Sequence, residues 1–182
     1  SITVVDPHDA QVIQTLPNGH TAVVTQLDFQ SCSPAARPGI RLVSGDSLGR
    51  VVLWDVVAGK MIIELADPSV KSTGKAVVAL SWLASENGVG GREGLILTLH
   101  AGSPLSLWNA NNGALIWTVT IPESLAGFSL DPFNDTRMCL TTHESLIIVD
   151  DFSFSKVCFL FLMKVLAAAC WCCSCLFVAL RQ

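Results

Sequence analysis

One pattern recurs four times along the chain: an apolar run of about four residues, an Asp or Asn, a short turn, then a second apolar run. The copies are ITVVD (2–6), VVLWD (51–55), LSLWN (105–109) and LIIVD (146–150), and the first three continue into QVIQTL, KMIIEL and ALIWTV. The marker residues Asp6, Asp55, Asn109 and Asp150 are spaced by 49, 54 and 41 positions. Recurrence at this period is how repeat architectures show themselves, because each unit must bury its apolar face on a neighbour. The two long steps hold the insertions SCSPAARPG (31–39) and SENGVGGREG (85–94).

Each copy reads as a β-hairpin. Its runs are rich in Val, Ile, Leu and Trp, which fit a pleated, half-buried surface. The links carry Gly59 or Asn111-Asn112-Gly113, residue types that accept the positive φ of tight turns. Two more strand-like runs precede each of the last three hairpins: 21–29 and 40–45, 76–83 and 95–100, 125–130 and 138–143. Four antiparallel strands per repeat define the blade of a β-propeller. No segment up to residue 156 has the 3.6-residue period of an amphipathic helix.

These units resemble the WD-repeat β-propeller family. Trp54-Asp55 and Trp108-Asn109 stand where that family ends its third strand, and Gly19-His20 stands at its Gly-His position ahead of Trp54. Val5 and Val149 occupy the Trp position in the outer units, and Leu48 occupies the usual turn Asp, with Asp46 two residues earlier. The resemblance implies a signature set of Gly19, His20, Ser44, Asp46, Trp54, Asp55, Trp108 and Asn109. It also leads us to expect a reduced hydrogen-bond set, kept in part by His20, Ser44 and Trp54. The ordered blocks 41–60, 105–118, 128–145 and 151–156 resemble the first propeller of one large, two-propeller member of the family. The expected fold is all-β: a partial propeller of about three to four blades, some incomplete, over residues 1–156. The best unit spans about 19–65 and the second about 76–119. The chain opens directly on a strand and reads as part of a larger unit.

Alternative chemistry is weakly supported. Gly45-Asp46-Ser47-Leu48-Gly49 matches both a G-x-S-x-G elbow and the GDSL esterase signature. An elbow needs a helix after the serine, whereas RVVLWDVV, a strand, follows. No Asp-x-x-His block is present to supply the catalytic base, so a hydrolase through Ser47 is the remote alternative. Ser72-Thr73-Gly74-Lys75 fails as a phosphate loop, because Ser69 and Ala76 stand where Gly and Ser or Thr are required. The Gly-rich 88–94 leads into a strand, so it offers no helix N-terminus to an anion. His8, His20, His100 and His143 fall in separate repeats without the spacing of metal ligands. No catalytic, cofactor or metal site is expected. A net charge of −4 and a pI near 5.4 argue against direct nucleic-acid contact.

Residues 157–182 are of different material. Of the 24 residues 157–180, 22 are apolar, and five of the chain's seven cysteines lie there. As a helix this stretch would reach about 36 Å, enough for a bilayer core of about 30 Å. A helical, membrane-anchoring tail is therefore one expectation, with the anchored binding module as the alternative function. The other, which we favour on sequence, is that the native repeat breaks at Lys156, leaving the fourth unit with three strands. An arc of blades with open ends is expected to be poorly soluble.

What the family resemblance implies is a non-enzymatic scaffold for other proteins, without a cofactor. It further implies a cytoplasmic location with the trans-Golgi and the cilium base, and leaves the nucleus open. The associated roles are vesicle trafficking, ciliogenesis and Hedgehog signalling, with a homeodomain protein among the partners.

Overall fold

The computed structural model describes residues 1–30, 40–66, 74–83, 94–102, 104–121, 124–134, 136–150 and, for the backbone, 163–166. Fourteen strands form four separate antiparallel sheets among these residues. The first is a hairpin of β1 (Ile2–Val5) and β2 (Val12–Leu16). The second runs in order through β3 (Val24–Phe29), β4 (Arg41–Asp46), β5 (Val51–Asp55) and β6 (Lys60–Leu65). The third comprises β7 (Val77–Trp82), β8 (Leu95–His100), β9 (Leu105–Asn109) and β10 (Leu115–Val119). The fourth comprises β11 (Leu125–Leu130), β12 (Met138–Thr142), β13 (Ser145–Val149) and β14 (Met163–Leu166).

Each sheet is a meander, so chain order equals spatial order. The three four-stranded sheets share one irregularity. The pairing of the first strand with the second slips between Val24 and Gln26, between Val77 and Ala79, and between Leu125 and Gly127. A bulge at the same place in each unit bends its first strand in the same way. It is the structural counterpart of the sequence repeat.

Neighbouring sheets are joined by apolar layers. Ile2 and Leu16 pack with Leu42, Val52 and Trp54 between the first two sheets. Val43, Leu53, Leu80, Trp82, Ile96 and Trp108 fill the space between the second and third. Leu97, Leu99, Leu107, Leu125, Leu140 and Ile147 fill the space between the third and fourth. Burial of apolar surface on both faces explains why β5 and β8 read as near-continuous apolar runs rather than as alternations.

Two sequence expectations change here. The fourth sheet does not stop at three strands: β14 pairs with β13, with Leu146 opposite Val165 and Ile147 opposite Lys164. Residues 163–166 are thus a strand where a helix was expected. Short apolar runs carry no period that separates strand from buried helix. The unpaired backbone groups of β13 supply what the sequence alone does not show, a template for one more strand. The rest of 157–182, with its membrane-anchor reading and its five cysteines, lies outside the described residues, as do the insertions at 31–39 and 85–93. Among the described residues no helix is long and apolar enough to cross a membrane.

Candidate functional site

The polar centre of the second sheet is built from three segments of chain. His20 stands in the link between β2 and β3, Ser44 on β4, Asp46 at its end, and Trp54 on β5. His20 Nδ1 lies 2.7 Å from Asp46 Oδ2, and its Nε2 lies 2.6 Å from Ser44 Oγ. Trp54 Nε1 donates to the same Ser44 oxygen at 2.8 Å. With Nδ1–H donating to the carboxylate, Nε2 accepts the Ser44 proton, and one chain of hydrogen bonds runs from indole to carboxylate. Asp46 Oδ1 accepts the backbone N–H groups of Leu48 and Arg50, both at 2.9 Å, which closes the β4–β5 turn.

The expected reduced set is therefore complete. Asp46 serves although it stands two residues from the family's usual position, because its side chain reaches His20 with one oxygen and the turn with the other. Burial raises its carboxyl pKa, but the hydrogen bonds from His20, Arg50 and Leu48 outweigh burial and hold it below its ordinary value. Gly19 lies against the Trp54 indole where a Cβ would collide with the ring.

By distance alone, Asp46, His20 and Ser44 form an acid–imidazole–hydroxyl relay. Ser44 is fully buried, and its oxygen is occupied by the Trp54 N–H, so it meets no substrate. Ser47 sits in a turn between two strands, not on an elbow into a helix. Among the described residues no three His, Cys, Asp or Glu side chains converge as metal ligands would.

The other signature residues fix turns. Asp55 accepts the N–H of Ala58 at 2.8 Å, and Asn109 accepts that of Asn111 at 2.9 Å. Trp108 Nε1 donates to Thr98 Oγ1 at 2.9 Å, a hydroxyl in the role of Ser44. In the fourth sheet the corresponding pair is Leu140 and Val149, both buried. There the hydroxyl and the indole are replaced together, which leaves no orphaned polar group.

Three contacts between sheets went unread in the sequence. Asp28 Oδ2 accepts the Trp82 N–H at 2.8 Å and the Ser81 hydroxyl at 3.0 Å, while its carbonyl accepts Trp82 Nε1 at 3.2 Å. Thr25 donates to the Val77 carbonyl at 2.7 Å. His100 Nε2 donates to the Gly49 carbonyl at 3.1 Å. Burial lowers the His100 pKa below 6.5, with the Gly49 bond opposing in part, and its Nδ1 has no hydrogen-bond partner within the protein. No local motif signals such pairs, because each joins residues about fifty apart in sequence that meet only when the sheets stack.

The surface beyond this centre carries apolar side chains on turns. Phe133, in the β11–β12 turn, is 96% exposed. The turn is held by Asp131 Oδ1 accepting the Phe133 N–H at 2.8 Å, by Asn134 accepting the Arg137 N–H at 3.0 Å, and by Arg137 donating to Asp150 at 2.7 Å. Val23 and Val57 are exposed in the β2–β3 and β5–β6 links.

Stacked four-stranded meanders with a His–Ser–Asp–Trp centre define a WD-repeat β-propeller. Two solved structures share the fold: one described as the mitotic checkpoint complex (TM-score 0.61, 22% identity, 85% of this chain and 41% of that one) and the WD40 domain of Toxoplasma gondii coronin (0.56, 22%, 76% and 33%). The family model for the WDR11 first beta-propeller matches residues 1–149, and the chain belongs to that family. WD repeat-containing protein 11 of Danio rerio is 31% identical over 160 residues, and that of Homo sapiens 29% over 159. These alignments cover 86% and 85% of this chain but only 12% of either relative.

Proposed function

We propose that this chain is a non-enzymatic docking platform for other proteins, its blades serving as a rigid mount for partner-binding turns. Phe133 is the observation that carries the reading. A large apolar side chain left in water costs solubility, and one held on a fixed turn loses little entropy on binding, as an interface anchor should. Membership of the WDR11 propeller family supports the same reading. By that kinship the finer assignment is a cytoplasmic scaffold in vesicle trafficking at the trans-Golgi, at the cilium base and in Hedgehog signalling. A photo-crosslinking residue placed at Phe133 and expressed in cells tests the docking reading. Discrete protein adducts are expected there and not from the same residue at exposed Val12; equal adducts at both positions, or none, would refute it.

A further inference from the structure

The first sheet has two strands where each of the other three has four, and the ladders show which two positions it holds. Ile2 pairs with Leu16 and Val4 with Gln14, with a bulge before Val5. Val51 pairs with Leu65 and Leu53 with Ile63, with a bulge before Trp54. β1 and β2 therefore stand where β5 and β6 stand in the second sheet. Among the described residues no strand of the β4 type lies beside β1.

That position has a fixed task in the other sheets. Val43 on β4 packs in one layer with Leu80 and Trp82, on the first strand of the next sheet. Leu97 on β8 packs in one layer with Phe128 and Leu130, again on the next first strand. Under this cover Leu80 and Trp82 are only 8% and 5% exposed. Their counterparts on β3 are Leu27 and Phe29, since Phe29 pairs with Leu42 as Trp82 pairs with Ile96. These two are half-exposed. Their surface continues the layer that Ile2, Leu16 and Leu42 form between the first two sheets. It is uncharged, because Asp28, which stands between them, is turned to Trp82 on the third sheet. The free side of β1 is the wall of this groove. Asp6 donates its N–H to Gln11, on the β2 side. Alternation along the strand turns the backbone groups of Thr3 and Val5 to the other, open side.

An apolar floor beside a row of unpaired backbone groups is the arrangement that takes up an added strand. We propose that this groove binds one extended segment of another protein, antiparallel to β1. The segment places an aliphatic side chain opposite Val4, as Val43 stands opposite Leu53, and that side chain seats on Leu27 and Phe29. Its backbone bonds to Thr3 and Val5, so it carries no proline at the residues that face them. The inference does not depend on Phe133.

The probe is a peptide of the sequence IRLVSGD, the chain's own second-strand segment 40–46. It is added to the whole 182-residue chain at up to about 5 mM, a concentration that reveals dissociation constants near 1 mM. Amide exchange in β1 is expected to slow at least threefold while β8 keeps its rate. Two altered peptides are expected to bind at least tenfold more weakly. One carries Val43→Asp. The other carries N-methyl groups at Leu42 and Ser44, the amides that face β5 by alternation from Asp46. In the chain, Leu27→Thr with Phe29→Thr is expected to weaken uptake at least tenfold; Phe29→Ser replaces this pair should it lose its sheet signal in circular dichroism. Unchanged exchange in β1, equal effects of the three peptides, or undiminished uptake by a folded variant would each overturn the proposal. So would protection of β1 that arises only when the chain associates with itself and that the peptide leaves unaltered.

Discussion

The carboxylate of Asp46 ties three segments of chain together: one oxygen holds His20, and the other holds the N–H groups of Leu48 and Arg50. Asp46→Ala leaves these donors without their acceptor in a buried setting. Such a loss costs about 1–3 kcal/mol, read as a lowered urea midpoint with an unchanged slope. Asp46→Asn keeps one acceptor and is expected to fall between. The carboxyl pKa is lowered on folding, so its contribution is complete above the ordinary value of 3.8 and is lost as pH falls through the lower folded value. His100 acts earlier on the acid side. Its pKa is also lowered, so below 6.5 the unfolded chain takes up the proton first and stability declines as the solution is acidified. His100→Phe removes that titration. The expected result is a melting temperature that falls less between pH 7.5 and pH 5 in the variant than in the parent. At this scale His20, Ser44 and Trp54 were legible because their spacing is fixed by strand length. The role of Asp46 was not, since the reach of a side chain across a turn, rather than a residue count, decides it. Asp28 and His100 act between sheets, and no local pattern encodes that.

Strand-scale legibility followed burial. Every run flanked by a turn signal, from 21–29 to 138–143, contains a strand, because alternation and β-branching register how a pleated surface packs. β14 went unread because the run around it is apolar but for Lys164, without the alternation of a half-buried strand, and its partner edge exists only once β13 is in place. The ladder between them runs from Ser145 opposite Leu166 to Ile148 opposite Met163. Val165→Pro removes a backbone donor and strains this strand, and a hydrogen bond of this kind is worth about 0.5–1.5 kcal/mol net. Amide exchange along β13 is expected to quicken by roughly three- to tenfold, while β8 keeps its protection. Unchanged exchange in β13 would mean that the pairing contributes nothing to that sheet. The turn before β5 offers a sharper lesion. Gly49 has φ of +87°, and a Cβ there would press on the Lys75 carbonyl. Gly49→Ala is expected to destabilise by about 1 kcal/mol or more, again read from the denaturation midpoint.

Across the whole molecule, cohesion comes from sheets covering one another's faces, and the cover is uneven at the first sheet. Asp28 points toward the third sheet, so Leu27 and Phe29, its neighbours on β3, point the other way, toward the hairpin β1–β2. The hairpin reaches only part of that face. Leu42, directly opposite Phe29 in the register, is buried beneath Ile2 and Leu16, whereas Leu27 and Phe29 remain 51% and 49% exposed. Two half-exposed apolar side chains beside the unpaired edge of β1 make a surface on which another molecule can add. The chain is therefore expected to self-associate at micromolar concentration, detected by sedimentation velocity. Leu27→Thr with Phe29→Thr keeps β-propensity while removing apolar area, and is expected to shift the distribution toward monomer. Two exposed apolar residues on other sheets, Ile116 on β10 and Leu146 on β13, serve as the control. Should the same change there abolish association and the Leu27/Phe29 pair leave it intact, the uncovered face of β3 is not what drives assembly.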